Sequence, residues 1–438
     1  MSVGKLFLKY IPQNILGMVG ISLYILADTF FISKAVGADG ITALNLVLPV
    51  YSIIFSMGAM IGVGSAIRFA IAKSRQSSDM DRYFSNGLFW GTAIGLVFAF
   101  AGLIFPDKIL SLMGGDEEIV RVGTSYTRIF MIFSPCFIWN HTCNAFVRND
   151  GAPSRAMVAT LSSSLFNIVA DYVLMFPLGL GMEGAALATA ISPVIGVGVC
   201  LTHILSKKSN IKIKLIKPSF SRLIHSCQLG VSAFVAELSS GVMTATFNML
   251  ILGLTGNVGV AAYGVVANIS LVAMAMFNGV ANGSQPIASA FYGQGERSKL
   301  KKLLKLGFVS VAVMAAVMIA IVFIWSGTLA NIFNSENNKA LAGYAEEGLK
   351  LYFTGFIFAG INIVGTSILS AVEEAKGAFI ASIMRGFVAI VGFAFLLSYI
   401  WGMKGVWLAF PAAEGATVII TVIMLKKAFN NNKATAPD

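Results

Sequence analysis

The sequence predicts an all-α membrane protein with twelve transmembrane helices in two pseudo-symmetric six-helix bundles. Three observations predict it. First, of 438 residues, 57% are hydrophobic and 12% charged, against about 45–50% and about 25% in ordinary soluble domains. Mean hydropathy is +0.81, which leaves no room for a sizeable water-soluble domain. Second, apolar runs long enough to cross a bilayer repeat along the whole chain. Third, the second half echoes the first.

The runs fall in order at 11–33, 46–72, 86–112, 122–148, 156–178 and 184–206. After the basic stretch Lys207 to Arg222 they resume at 225–252, 259–290, 302–333, 343–371, 377–401 and 405–428. Each reaches the roughly 20 residues a spanning helix needs. Several exceed it, which implies tilt or kinks. The first run reads as helix one, not a cleaved signal peptide, because it is long, carries Asp28 and lacks a small-residue cleavage site. Pro12, Gly17 and Gly20 in helix one, Pro49 in helix two and Pro135 in helix four weaken the helical ladder. Membranes tolerate such residues where neighbours satisfy the freed backbone groups, so they fit movement or ordinary packing.

Assigning the connections alternately to two sides segregates the basic residues, with 24 of the 31 Lys and Arg, Lys433 included, on the side of the N-terminus and seven on the other. Positive charge marks the cytoplasmic side, so a multi-pass protein of the cell membrane with both termini cytoplasmic is expected. The formal charge of +11 is then that of loops on an anionic membrane face, and no nucleic-acid partner is expected. The basic stretch divides the chain into an N-terminal bundle at 1–206, a cytoplasmic linker at 207–224 and a C-terminal bundle at 225–438.

The halves overlay. Gly40, Ala43, Val47, Met57, Gly64 and Ser65 recur as Gly259, Ala262, Val266, Met276, Gly283 and Ser284 at a shift of 219. Later, Gly181-Met182-Glu183-Gly184 with Leu187-Ala188 recurs as Gly402-Met403-Lys404-Gly405 with Leu408-Ala409 at a shift of 221. A repeat joined after an even number of helices has the same topology in both copies, which is a transporter plan. One repeated chain needs no subunit symmetry, so a functional monomer is expected.

Asp28, Asp171, Glu237 and Glu414 lie within apolar runs. Each costs roughly 3 kcal/mol at a helix centre on insertion scales, which makes function the default reading; the alternative is a structural ion pair or a helix end. Helices one and five both run outward and bring Asp28 and Asp171 to similar depth. Tyr24 and Asn167 each precede these acids by four residues, which turns four polar groups toward one cavity. Such oxygen ligands suit a hard cation such as Na+. Two neighbouring carboxylates in a poorly solvated pocket equally suit a site that loads and releases protons. His141, inside the fourth run, is a cavity candidate or a packed histidine.

Other patterns point away from catalysis. Gly179 to Gly184 spells GxGxxG, but no strand precedes it. No Walker motif occurs, so neither nucleotide nor another cofactor is expected, and the four cysteines lack metal-ligand spacing. The chain does not read as an enzyme; its energy is expected to come from an ion gradient or from the substrate's own.

Ile11-Pro12 with Leu23 to Asp28, Arg148-Asn149-Asp150-Gly151, and above all Asn167-Ile168-Val169-Ala170-Asp171 followed by Gly179 to Ala186 resemble the multidrug and toxic compound extrusion (MATE) family, in its prokaryotic branch with an N-lobe acidic pair. The resemblance covers nearly the whole chain. It implies a V-shaped pair of six-helix bundles that exchanges organic cations for Na+ or H+. It places the N-lobe cation site, and any Na+, on Asp28, Asn167, Asp171 and Thr189, with Tyr126 as a cavity tyrosine and Glu237 near a glutamate that other branches use early in helix seven. Ile21 departs from the family, some members of which carry Gln there.

The expected function is secondary antiport of amphipathic organic cations, with the bilayer and small molecules as the only partners. A cleft rich in Phe and Met, of which the chain has 33 and 19, would accept varied flat molecules. The main rival is a flippase for a lipid-linked precursor, which should carry basic residues inside its cavity; the second is a non-transporting membrane scaffold, for which buried acids have no use.

Overall fold

In the computed structural model, which describes residues 2–332 and 338–431, every regular element is helical. Lys433 of the charge pattern and positions 333–337 and 432–438 of the expected C-terminal bundle lie outside the described residues. The helices are α1 (Val3–Ala35), α2 (Ala38–Ser74), α3 (Met80–Ile104), α4 (Pro106–Leu112), α5 (Glu117–Ile132), α6 (Ser134–Asn149), α7 (Pro153–Met175) and α8 (Gly181–Ile204). They continue as α9 (Phe220–Gly293), α10 (Arg297–Ile332), α11 (Lys339–Phe353), α12 (Phe356–Ala371), α13 (Ala375–Ile383), a π-helical turn (Met384–Val388), α14 (Ala389–Trp401) and α15 (Met403–Asn431). Nine of the described helices are long and apolar enough to cross a membrane, or ten with the bent pair α11–α12. Counting the two lengths of α9 on either side of Gly256, and the α5–α6 pair, as one crossing each gives the expected twelve.

Exposed apolar stripes support the membrane reading. On α10, Val309, Val313, Val317 and Ile321 recur every fourth residue at 52%, 58%, 54% and 42% exposure, a continuous apolar face that water would not tolerate at this length. The chain is a multi-pass membrane protein.

Local sequence sets where the helices break. Pro135 opens α6, where its missing N–H has no helical partner to lose, and so divides the fourth run. Pro106 opens α4 in the same way. Pro12 and Pro49 instead lie inside continuous helices. Gly17 and Gly20 are packing positions against α7: a Cβ at Gly20 would meet Leu161 at 2.6 Å. Asp116 caps α5 by accepting the Ile119 N–H at 2.9 Å, and Glu117 and Glu118 complement the positive end of the helix.

The chain forms two compact units, Pro12–Glu237, and Met1–Ile11 with Leu238–Asp438. The division therefore falls inside α1 and inside α9, whereas the stretch 207–224 belongs to the first of these units. That stretch is a strap rather than a free spacer. Lys214 donates its N–H to Ser85 at 2.9 Å and pairs with Asp81 at 2.6 Å, and Ser219 donates to Asn86 at 2.8 Å. At its start, the carboxylate of Asp150 accepts from Lys73 at 2.6 Å and from the backbone and side chain of Asn210, both at 2.9 Å, with His203 at 2.9 Å. Burial opposes the charge on Asp150, but Lys73 and Asn210 outweigh it and hold its carboxyl below the usual range.

Within each unit the repeat has physical content. A Cβ at Gly64 would meet the carbonyl oxygen of Ser226 at 2.0 Å, and one at its counterpart Gly283 would meet Ile11 at 2.7 Å. Gly37, which separates α1 from α2, has φ 83°, and Gly256, which kinks α9, has φ 65°, a left-handed backbone that favours glycine.

Candidate functional site: an acidic pocket in the first unit

The unit Pro12–Glu237 brings α1, α7 and α8 together around the expected cation ligands. On α7 the apolar residues Leu165, Val169 and Val173 are exposed, at 64%, 54% and 41%, while Asn167 and Asp171 on the opposite face are fully buried. The polar face is thus inside and the apolar face outside, which is what a bilayer selects. Thr189 on α8 is buried, and Asn167 donates its amide to the Thr189 hydroxyl at 3.4 Å. Asp28 on α1 is half-buried, and its carboxyl group neighbours that of Asp171.

Asp28 Oδ1, Asn167 Oδ1 and both carboxylate oxygens of Asp171 are buried and accept no hydrogen bond. Buried acceptors normally have partners, and leaving one without costs about 1–3 kcal/mol. Four such oxygens in one pocket form a hard-ligand set that fits Na+ or a proton. Among the described residues no group of three or more His, Cys, Asp and Glu is placed to hold a metal; the cluster instead combines two carboxylates with amide and hydroxyl oxygens.

Tyrosines border the pocket. Tyr24, one turn before Asp28, has its hydroxyl 3.4 Å from that of Tyr51. Tyr126 is buried with its hydroxyl beside that of Thr189. From Tyr51 an aromatic wall runs through Phe130 at 4.8 Å and Phe55 at 4.1 Å between ring centres. His141 packs edge-on against Phe55 at 5.0 Å. Sequence reasoning missed Tyr51 and Phe55; their spacing of four residues within the second run was the available signal.

The remaining candidates lie elsewhere. Glu237 on α9 is exposed. Glu414 belongs to the other unit, where Arg385 donates to it at 2.6 Å and the Asn362 amide at 2.7 Å. Thr421 in turn donates to Asn362 at 2.8 Å. This buried group matches the structural ion pair that the sequence left open.

A repeated all-helical membrane protein with an oxygen-lined acidic pocket inside one of its units is the class that fold and site define. The chain belongs to the MatE family, whose model matches residues 14–173 and 233–399. The multidrug export protein MepA of Staphylococcus saprophyticus is 25% identical over 427 residues, covering 97% of this chain and 94% of that protein. MepA of Staphylococcus aureus strain MRSA252 is 26% identical over 426 residues, covering 97% and 93%. The fold matches an outward-facing multidrug resistance MATE family transporter of the MOP superfamily, with TM-score 0.93 and 22% identity over 99% of this chain and 98% of that one. It also matches a MOP superfamily transporter from Pyrococcus furiosus, described as having reversed binding-pocket polarity, with TM-score 0.92 and 22% identity over 99% and 97%.

Proposed function

We propose that this chain is a secondary antiporter that exports amphipathic organic cations across the cell membrane in exchange for Na+ or H+. It works as a monomer with both termini cytoplasmic, needs neither nucleotide nor organic cofactor, and catalyses no covalent chemistry. The observation that carries this reading is the Asp28–Asp171 pair, three of whose oxygens, with Asn167 Oδ1, are buried and accept no hydrogen bond. Resemblance to proteins named for multidrug export supports the cargo class. An entering cation is held by Asp28, Asn167, Asp171 and Thr189 and neutralises the pair. Because a ligand shifts a two-state equilibrium only through its different affinity for the two states, that neutralisation favours the conformation that releases drug outward. Drug binding and cation release on the inner side reset the cycle.

The flippase reading calls for basic residues that meet phosphates inside the protein. Arg148 does line an internal cavity beside Gln13, Asn144 and Thr160, but the cavity is about 10 Å³, the size of one water molecule. The test is flux of a fluorescent organic cation from reconstituted vesicles, with Na+ and pH gradients imposed independently. D28N and D171N should each abolish gradient-driven flux. Full activity in both variants would overturn the assignment.

A further inference from the structure

We infer that the end of the first unit that carries the basic strap holds a second binding site, one that takes a phosphate group. A pocket of about 280 Å³ opens there between the end of α2, the start of α3 and the first turn of α9. It is separate from the acidic pair and from every residue of the proposed transport site. Arg68 of α2 and Arg222 and His225 of α9 supply its cationic and imidazole groups, and Ser219 and Ser221 its hydroxyls.

The guanidinium groups are held in place. Arg68 donates to the backbone carbonyl of His225 at 3.3 Å, and Arg222 lies over the ring of Tyr83 at 6.0 Å. A fixed, planar guanidinium fork matches the oxygens of a phosphate and loses little freedom on binding it. Ser221 stands 3.4 Å from His225 Nδ1, so hydroxyl and imidazole present hydrogen-bonding atoms at one edge. The single carboxylate lining the pocket, Asp79, sits at its rim, half exposed, 3.9 Å from Arg222 and 3.6 Å from Arg82 outside the pocket. The lining carries two guanidinium groups and one carboxylate, and that carboxylate is shared with Arg82. The neighbouring strap lysines Lys212 and Lys214 are directed to Asp81 instead. The pocket volume exceeds that of one phosphate ion. Both a free phosphate and an anionic phospholipid headgroup offer this chemistry.

The purified full-length chain in neutral detergent would be titrated at constant ionic strength, once with inorganic phosphate and once with micelles containing phosphatidylglycerol, with chloride and phosphatidylcholine as matched controls. The readout is the melting temperature followed by tryptophan fluorescence. At least one of the two anionic probes should raise it in the wild type, and R222Q should weaken that probe's apparent affinity by about tenfold or more. K302Q, a charge change outside the pocket, should leave it unchanged. A response to phosphate alone identifies a soluble source, and a response to phosphatidylglycerol alone identifies the lipid headgroup. R68Q loses the bond to the His225 carbonyl and is expected to melt lower on that account, so R222Q carries the test. Should R222Q itself fail to fold, H225Q, exposed at the pocket edge, reads the same loss. No response to either probe, or a response that R222Q or H225Q leaves intact, overturns the site. D28N should bind both probes as the wild type does, so this outcome is independent of the antiport reading.

Discussion

In the unit Pro12–Glu237 the acids Asp28 and Asp171 have no basic partner among the described residues, and three of their oxygens accept no hydrogen bond. In the other unit the buried acid Glu414 is held by Arg385 at 2.6 Å and Asn362 at 2.7 Å. The sequences of the two halves repeat while these charges do not. At the repeat shifts Asp28 corresponds to Phe247, Asp171 to Gly392 and Glu414 to Pro193. A buried carboxylate with a guanidinium partner is electrically complete and has no need of a mobile ion. A buried pair without one has its charge unmet by the protein. One fold thus carries a buried acid with a basic partner in one copy and buried acids without one in the other.

Exchanging the roles of these acids is the most severe test of that contrast. D171N should abolish gradient-driven flux while keeping or raising the melting temperature, because it removes buried negative charge that the protein itself does not satisfy. E414Q should do the reverse, lowering stability by about 3–5 kcal/mol because Arg385 is left buried without its charge partner. The double variant R385M/E414M should recover most of that loss, since an apolar pair of similar volume replaces a satisfied one at little net cost. Parallel melting and flux measurements separate the two kinds of acid; equal loss of flux at equal stability in D171N and E414Q would erase the distinction.

Much of this was legible in the sequence. The twelve apolar runs foretold the crossings because lipid forces each spanning segment to satisfy its own backbone. The spacing of Asn167 and Asp171 fixed their common face. Thr189 entered only through family resemblance, since a lone threonine in an apolar run has no distinguishing pattern. Glu414 stayed ambiguous because its partner is 29 residues away and is carried on a π-helical turn that no simple periodicity announces. The strap was hidden for a related reason. Lys214 pairs with Asp81 across 133 residues and Asn210 with Asp150 across 60, and such long-range partners make a basic segment look like a solvated spacer.

The strap gives a second, smaller contrast, because its charges are satisfied inside one unit. Asp150 is fully buried and its carboxyl is held below the ordinary range. A depressed folded value contributes stability above the unfolded pKa of about 3.9 and loses it as pH falls through the folded value. Trypsin cleavage at Lys207 and Lys208 should therefore stay slow and constant from about pH 8 to about pH 5. D150N should speed it at every pH in that range, with a stability loss of about 2–3 kcal/mol as Lys73 loses its partner. Unchanged cleavage in D150N would mean that the strap is held elsewhere, by Asp81 and Asn86.

The smallest effect concerns what the units share. Gly37 and Gly256 occupy equivalent breaks, at the α1–α2 junction and within α9, with φ of 83° and 65° and no atom within 4 Å of the place a Cβ would take. Space is therefore not what glycine supplies there; only the left-handed backbone is. Alanine at either position should cost about 1–3 kcal/mol, and G37A and G256A should lower the melting temperature by similar amounts. Flux per folded molecule should hold in both variants, since neither glycine touches Asp28, Asn167, Asp171 or Thr189. Matching losses would establish that the repeat is one of backbone geometry. A much larger loss of flux in G37A alone would instead tie that break to the movement that carries the cation, and would extend the difference between the units from their charges to their hinges.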